Sequence, residues 1–357
     1  MKSKVNKKYF RTIAVQTIIW TTAFTFWTIM REFGQEVVRE YEALSPTEQV
    51  RIHLVLGIFA GLLFGSLEYF FEKKVFRNVS LGKAIFIGSL SYLIITILLL
   101  LLGMRIFARI VEINLSWEET QNFLFSRTAA LFIFYCFLVG FLIDFIKQVD
   151  KKFGPGNLIR MLKGEFYGPK EDERIFMFLD LKSSTAIAEK LGHIKYSQLL
   201  QDCFVDIDIV AKYHAEIYQY VGDEVVLTWQ RKKGLIDANC IRAFFAFTDR
   251  LEKRSDHYIR TYDVLPEFKA GLNMGKITIA EVGEIKREIA YHGDTINTAS
   301  RIQAKCNDFD QQILISENLQ QHLNGSNDFS RKLVGEVTLK GKLQAVNIYS
   351  VERILIQ

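Results

Sequence analysis

The chain is poor in the residues that staple small folds or hold redox groups. Its four cysteines, Cys136, Cys203, Cys240 and Cys306, form no CxxC pair, which suits a reducing compartment and argues against a disulfide framework. Histidine is also scarce. His53 is the single histidine before residue 147, so a bis-histidine haem site has no support in that half. Beyond residue 147 long apolar runs almost disappear, and no internal repeat or low-complexity tract occurs anywhere. No small-x-small cleavage site follows the first apolar stretch, which is too long for a signal-peptide core and reads as an uncleaved span.

What remains is a chain of two textures. At 357 residues it has room for two or three domains, and it combines 49% hydrophobic residues, including 29 Phe, with 24% charged ones. Residues 84–104 carry no charge over a length that crosses a bilayer core of about 30 Å. Residues 54–71 are interrupted only by Glu68, 128–146 only by Asp144, and 12–30 hold no charge but carry Gln16 and several threonines. Four spans are therefore expected within a membrane domain over 1–146.

Flanking charge sets their direction. Lys2, Lys4, Lys7, Lys8 and Arg11 precede the first span, and Lys73, Lys74, Arg77 and Lys83 lie in the second connection. The first connection instead holds Glu32, Glu36, Glu40, Glu42 and Glu48. The positive-inside rule then puts both ends of an integral membrane protein in the cytoplasm. These basic flanks account for the net charge of +5 without nucleic acid, and the partner of this half is membrane lipid. Thr17, Thr21, Thr25 and Thr28 recur at helical spacing and read as a packing face. Glu68 and Asp144 lie near the cytoplasmic ends of their spans, where a sensing or ion site is one reading but such residues more often reach headgroups or water.

Residues 147–173 form the join, a cytoplasmic linker in which "FGPGN" and "YGPKEDE" supply turns around a short helix near 158–162. From 174 to 357 strand-like and helix-like segments alternate. "RIFMFLDL" reads as a buried strand, and "SSTAIAEKLG" and "KYSQLLQDCFVDIDIVAKYH" as helices. "AEIYQYVGDEVVLTW" is a hairpin, 237–260 a long helix, and "FKAGLNMGKITIAEVG" two strands with a glycine-bearing bend. "DTINTASRIQAKC" is a helix with Asp294 as its N-cap, and "QILIS", "KLVGEVTLKG" and "VNIYSVE" are strands. The result is an α+β, ferredoxin-like β-α-β-β-α-β core with extra strands.

In that arrangement Asp180 ends the first strand and Asp223 sits at the tip of the hairpin, so the two carboxylates can meet at one sheet edge. Paired hard oxygen ligands suit Mg²⁺ or Mn²⁺, especially when substrate phosphates complete the coordination. By itself, Gly222-Asp223 would be read as turn chemistry.

"FLDLKSST", "YQYVGDEVVLTW", "GDTINTASRI" and "LKGK", in that order, resemble the class III nucleotidyl cyclase catalytic domain, the family of adenylate and guanylate cyclases. The resemblance implies that Asp180 and Asp223 hold two Mg²⁺ or Mn²⁺ ions, with the Leu181 carbonyl as a further ligand. It implies that the turn through Ser183, Ser184 and Thr185 offers N–H groups to a triphosphate. Asn297 and Arg301 match the pair that positions the ribose and neutralises transition-state charge, and Lys340, with Lys342 nearby, matches the lysine on the terminal phosphates. The family builds each site from two catalytic domains, so a homodimer with shared sites is expected from a chain with one.

The sequence departs from the family where the base is read. Gln219 stands where adenylate cyclases commonly place Lys and guanylate cyclases Glu, and Ala290 replaces the usual Asp, Thr, Ser or Cys. A Gln amide donates and accepts, so it can serve either purine. The expected activity is a membrane-anchored adenylate cyclase using ATP. The alternatives are a guanylate cyclase using GTP and a silent nucleotide-binding membrane sensor.

Overall fold

The computed structural model describes residues 2–32, 46–74, 79–110, 112, 114–154, 156–323, 328–337 and 345–354. The chain divides into two compact units, Met1–Phe153 and Gly154–Gln357.

The first unit is helical: α1 (Lys2–Glu32), α2 (Pro46–Lys74), α3 (Leu81–Ile110), a short α4 (Trp117–Leu124) and α5 (Arg127–Phe153). Four stretches within these helices, Tyr9–Arg31, Val50–Phe71, Leu81–Ile106 and Arg127–Phe153, are long and apolar enough to cross a membrane. Exposed Phe26, Phe59, Leu98 and Phe134 stud their outer faces. Small residues let the backbones approach. A Cβ on Gly57 would lie 2.6 Å from Thr21 Cα, one on Gly65 would lie 2.7 Å from Ile13 Cα, and one on Gly61 would overlap Thr17 Cα. The threonine face of α1 is thus a helix-packing face against the glycine row of α2, as its spacing suggests. Aromatic rings fill the interior, with Trp20 4.4 Å from Phe64 and Phe64 5.0 Å from Tyr92 between centroids.

Two expectations for this unit need correction. Glu68 and Asp144 do not reach outward: Asp144 is 6% exposed, and the Glu68 carboxylate meets Lys147 Nζ at 2.6 Å and the Gln16 amide. Inward orientation gives each a polar environment that lipid could not supply. The helix α4 was also unanticipated. A capping box makes it, with Ser116 Oγ accepting from Glu119 N at 3.1 Å and Glu119 Oε2 accepting from Ser116 N at 2.8 Å.

The second unit runs α6 (Asn157–Leu162), β1 (Lys170–Leu181), α7 (Ser184–Asp206), β2 (Glu216–Val221), β3 (Glu224–Gln230), α8 (Arg231–Leu235), α9 (Asn239–Glu252), α10 (Ser255–Tyr262), β4 (Phe268–Val282), β5 (Glu288–His292), α11 (Asp294–Ala304), β6 (Ile313–Ser316), α12 (Glu317–His322), β7 (Phe329–Val337) and β8 (Val346–Arg353). One sheet holds the strands in the order β2-β3-β1-β4-β6-β8-β7, with β5 on β4. Its first four members, β2-β3-β1-β4, pair antiparallel throughout. With α7 after β1 and α9 and α10 before β4, they form the expected ferredoxin-like core.

Both faces of β1 are covered, which is why its sequence is apolar without alternation. Ile175, Met177, Leu179 and Leu181 face a core built with Leu199 and Cys203 of α7, Phe244 and Phe247 of α9, and Tyr258 and Tyr262 of α10. Phe176 and Phe178 face the other side, with Ala299 and Ile296 of α11 and Phe166. Buried Asp206, 1% exposed, ties the helical layer together by accepting from Arg250, Arg254 and the Tyr258 hydroxyl.

Four boundaries differ from expectation. "FKAGLNMGKITIAEV" is one strand, β4, without a bend. Its glycines serve close packing instead: a Cβ on Gly271 would overlap the backbone of Gln303, and one on Gly275 would lie 2.6 Å from Thr295 Oγ1. The helix expected over 237–260 is broken at Lys253 and Arg254, where Arg254 turns its guanidinium to Asp206. β1 starts at Lys170, so "KEDE" is strand, not turn. Gly293, not Asp294, caps α11. The two helices read over 183–214 do meet at a break, Gly192, whose φ of +72° is left-handed.

Candidate active site

Strand register assembles the acidic pair. β1 and β3 pair Asp180 with Glu224, and Gly222, at φ +62°, turns β2 into β3 so that Asp223 sits directly before Glu224. Asp180 and Asp223 are therefore neighbours at one end of the sheet. Burial, reinforced by the Asp223 charge, raises the pKa of Asp180 above the usual carboxylate range. Burial also pushes Glu224 up to about 7, with Asp180 and Asp223 adding to the shift. Such mutual repulsion is what a bound cation relieves. Among the described residues no three His, Cys, Asp or Glu side chains are arranged to hold a metal ion. The donor set fits hard divalent ions whose coordination is completed by non-protein oxygens.

Around the pair lie residues that motif spacing alone did not reveal. Lys269 of β4 is paired in register with Asp180. It is 8% exposed, and its Nζ lies 4.0 Å from Asp180 Oδ2 and donates to Asn307 Oδ1 at 2.7 Å. Gln303 of α11 donates to Asp180 Oδ2 at 3.2 Å. Tyr196 of α7 lies near the pair, and burial followed by the Asp223 charge raises its pKa. A signal for Lys269 was available in the strand register once β4 was read as unbroken. Gln303 and Tyr196 depend on tertiary packing.

The turn between β1 and α7 follows immediately. Leu181 buries its side chain in the core, leaving only its backbone for the site. Lys182 N donates to Glu267 O at 2.9 Å, and Ser183 takes the left-handed region at φ +57° before α7 begins at Ser184. Ser183 makes no side-chain cap, so the opening N–H groups of α7 are not satisfied by it. Ser183 and Thr185 are exposed and Ser184 is half-buried. A helix start of this kind presents donors and positive potential to an anion.

The helix pair lies elsewhere on the unit's surface. Asn297 is exposed and Arg301 half-buried on α11, and neither side chain pairs with a described residue. Gln303 points from α11 to Asp180. Arg301, two residues earlier, projects roughly 200° around the helix from Gln303. A single chain therefore brings Asp180 and Asp223 together but turns Asn297 and Arg301 away from them. Gln219 is exposed on β2 beside a bulge, and Ala290 is half-buried on β5. The next residues, Tyr218 and Tyr291, stack edge to face at 4.7 Å, so these two strand segments are brought together. Lys340 and Lys342 lie outside the described residues.

Comparison with known proteins gives the class. The chain belongs to the adenylate and guanylate cyclase catalytic domain family, which it matches over residues 167–353. It is 32% identical over 232 residues to "Adenylate cyclase 2" of Rhizobium meliloti (strain 1021), an alignment covering 63% of this chain and 64% of that protein. It is 26% identical over 183 residues to "Adenylate cyclase" of Anabaena cylindrica, covering 49% of this chain and 36% of that protein. The chain thus spans less than two thirds of the length of either relative. A bacterial light-regulated adenylyl cyclase shares the fold with a TM-score of 0.54 at 18% identity, covering 64% of this chain and 67% of that one.

Proposed function

We propose that the protein is a membrane-anchored adenylate cyclase that converts ATP to 3′,5′-cyclic AMP and pyrophosphate, working as a homodimer with two shared sites. The observation that carries this reading is the division of the site residues. Asp180 and Asp223 converge at one sheet end, while Arg301, which pairs with no described residue, faces away from them on α11. A second copy, related by a two-fold axis, would bring its Arg301 and Asn297 to the first copy's acidic pair.

In the reaction the ribose 3′-hydroxyl loses its proton to water as its oxygen bonds to the α-phosphorus in line, and the bond from that phosphorus to the oxygen bridging the β-phosphate breaks, releasing pyrophosphate. Two Mg²⁺ or Mn²⁺ ions, held by Asp180 and Asp223 with the Leu181 carbonyl, supply Lewis-acid polarisation of the reacting oxygens when bound. The chain's own residues do the positioning. Ser183, Ser184 and Thr185 offer backbone N–H groups to the phosphates, and Lys340 adds charge at their far end. Asn297 orients the ribose. Arg301 neutralises charge that grows on the α-phosphate. Gln219, unaided by a side-chain hydrogen bond from Ala290, reads the base, and ATP is favoured because the guanine-type Glu and Cys are both absent.

We place the N-terminus and the catalytic unit in the cytoplasm, on the basic flanks of the first and third spans. Residues 147–173 join membrane domain and catalytic domain, with Gly154 and Gly156 at φ +89° and +85° forming a turn that few other residues adopt.

Product analysis by mass spectrometry tests the activity. Full-length protein given Mg²⁺ or Mn²⁺ and an equimolar mixture of the four ribonucleoside triphosphates should yield cyclic AMP. The Asp223→Ala protein should yield at least about 100-fold less. Folded wild-type dimers that form no cyclic nucleotide with either metal would contradict the reading in favour of a silent nucleotide-binding sensor.

A further inference from the structure

The helical unit buries charge that the cyclase reaction does not use. Asp144 of α5 is 6% exposed, and its Oδ2 has no hydrogen-bond partner among the described residues. α3 makes room for it at Gly88, where any Cβ would overlap that oxygen. Beside the carboxylate is a cavity of about 20 Å³ lined in part by Glu68, Gly88, Ser91, Tyr92 and Asp144. This is room for about one water-sized occupant.

Charge balance points to what fills it. Glu68 is matched by Lys147, whose Nζ lies 2.6 Å away, and it also accepts from the Gln16 amide. Gln16 Nε2 donates in addition to the Tyr92 hydroxyl at 3.2 Å. Asp144 makes no ion pair of its own among the described residues. Lys147, three residues on along α5, acts on its charge but is engaged by Glu68, and Lys151 is exposed nearer the helix end. An uncompensated carboxylate inside a bundle costs several kcal/mol. Protonating Asp144 would remove its charge but leave the cavity without an ion to fill it. A divalent ion would replace one uncompensated negative charge with a positive one. A monovalent ion with oxygen ligands meets both the charge and the size of the cavity.

We propose that the helical unit binds one small monovalent cation, Na⁺ by size and hardness, in the cavity between Glu68, Ser91, Tyr92 and Asp144, with Asp144 as its charged ligand. The site is independent of nucleotide turnover. The groups facing it are Gln16 from α1, Glu68 from α2, Tyr92 from α3, and Lys147 and Lys151 from α5.

The test uses full-length protein in lipid nanodiscs at constant ionic strength, exchanging choline for Na⁺ or K⁺. Thermal unfolding is followed by tryptophan fluorescence, and binding is followed directly by sodium NMR line broadening. Na⁺ should raise Tm saturably by about 2–4 °C and broaden the sodium resonance. K⁺ should act more weakly, and lower pH should weaken the Na⁺ effect as protons compete for Asp144. Asp144→Asn should abolish both signals. Ser91→Ala, which keeps every charge, should weaken Na⁺ binding several-fold and serves if Asp144→Asn does not fold. Equal Tm in Na⁺ and choline, with no broadening beyond that of Asp144→Asn, overturns the proposal. So does a Tm that responds to pH alone, which would mean a protonated carboxyl, or a shift produced by Mg²⁺ in place of Na⁺.

Discussion

The helical unit and the catalytic unit differ in how far they pair buried polar groups. In the catalytic unit Asp206 accepts from two arginines and a tyrosine, and Arg174, fully buried, is held by Asp172 and Glu216 and lies 5.1 Å from the centroid of the Tyr291 ring; only Arg174 Nη2, Thr228 Oγ1 and Gln320 Oε1 are buried there without a partner among the described residues. In the helical unit Gln16, Thr17, Trp20, Thr21, Ser89, Thr96 and Asp144 each keep a buried polar atom without a described hydrogen-bond partner. A unit that buries charge in its packed core must pair it to be stable. A helical unit satisfies its backbone within each helix, so isolated side-chain hydroxyls cost less there, and an isolated carboxylate stands out.

The sharpest way to break this contrast is a pair of substitutions. Asp206→Ala should destabilise the catalytic unit by about 3–5 kcal/mol, because two arginines lose their buried partner. Thr21→Val, which swaps a partnerless hydroxyl for a methyl of the same shape, should change the helical unit by less than about 1 kcal/mol. Thermal unfolding of the full chain in nanodiscs reads both. Comparable losses at the two positions would show that the units do not differ in this respect. Gly61→Ala should fall between them, costing about 1–3 kcal/mol by pushing α2 from the Thr17 backbone. An unchanged melting profile would mean that α1 and α2 do not cross at the glycine row. The smallest effect is on selectivity. Gln219→Glu should shift the ATP:GTP preference toward GTP by roughly tenfold, measured from initial rates with each nucleotide. Unaltered selectivity would remove Gln219 from base recognition.

Legibility also differed between the units. The β1 to β4 core was readable because apolar runs, the Gly222-Asp223 turn and the period of α11 each carry local signals. The four candidate spans were readable from length and lack of charge. What failed depended on partners distant in sequence. Gly275 looked like a bend because only α11, 19 positions on at its start, explains the missing side chain, and Arg254 breaks a helix to reach Asp206. The inward turn of Glu68 and Asp144 required Lys147, Gln16 and Gly88 to be seen together. The Ser116–Glu119 capping box, by contrast, was a local signal that identifies α4 without tertiary information. Within the candidate site, Asp180 and Asp223 were legible from the hairpin, whereas Gln303, which bonds Asp180, and Tyr196, which feels the Asp223 charge, were not, since each comes from a separate helix.

The measurement that tests the central claim most directly is complementation between two inactive chains. Asp223→Ala and Arg301→Ala proteins carrying different affinity tags are co-expressed, mixed dimers are isolated through both tags, and cyclic AMP formation is compared with each parent. Sites assembled from both chains predict that each parent is inactive and that mixed dimers recover activity, since one of their two sites keeps both an intact acidic pair and an intact arginine. Verified mixed dimers that remain as inactive as the parents would contradict the shared site, and with it the separate placement of Arg301 on α11.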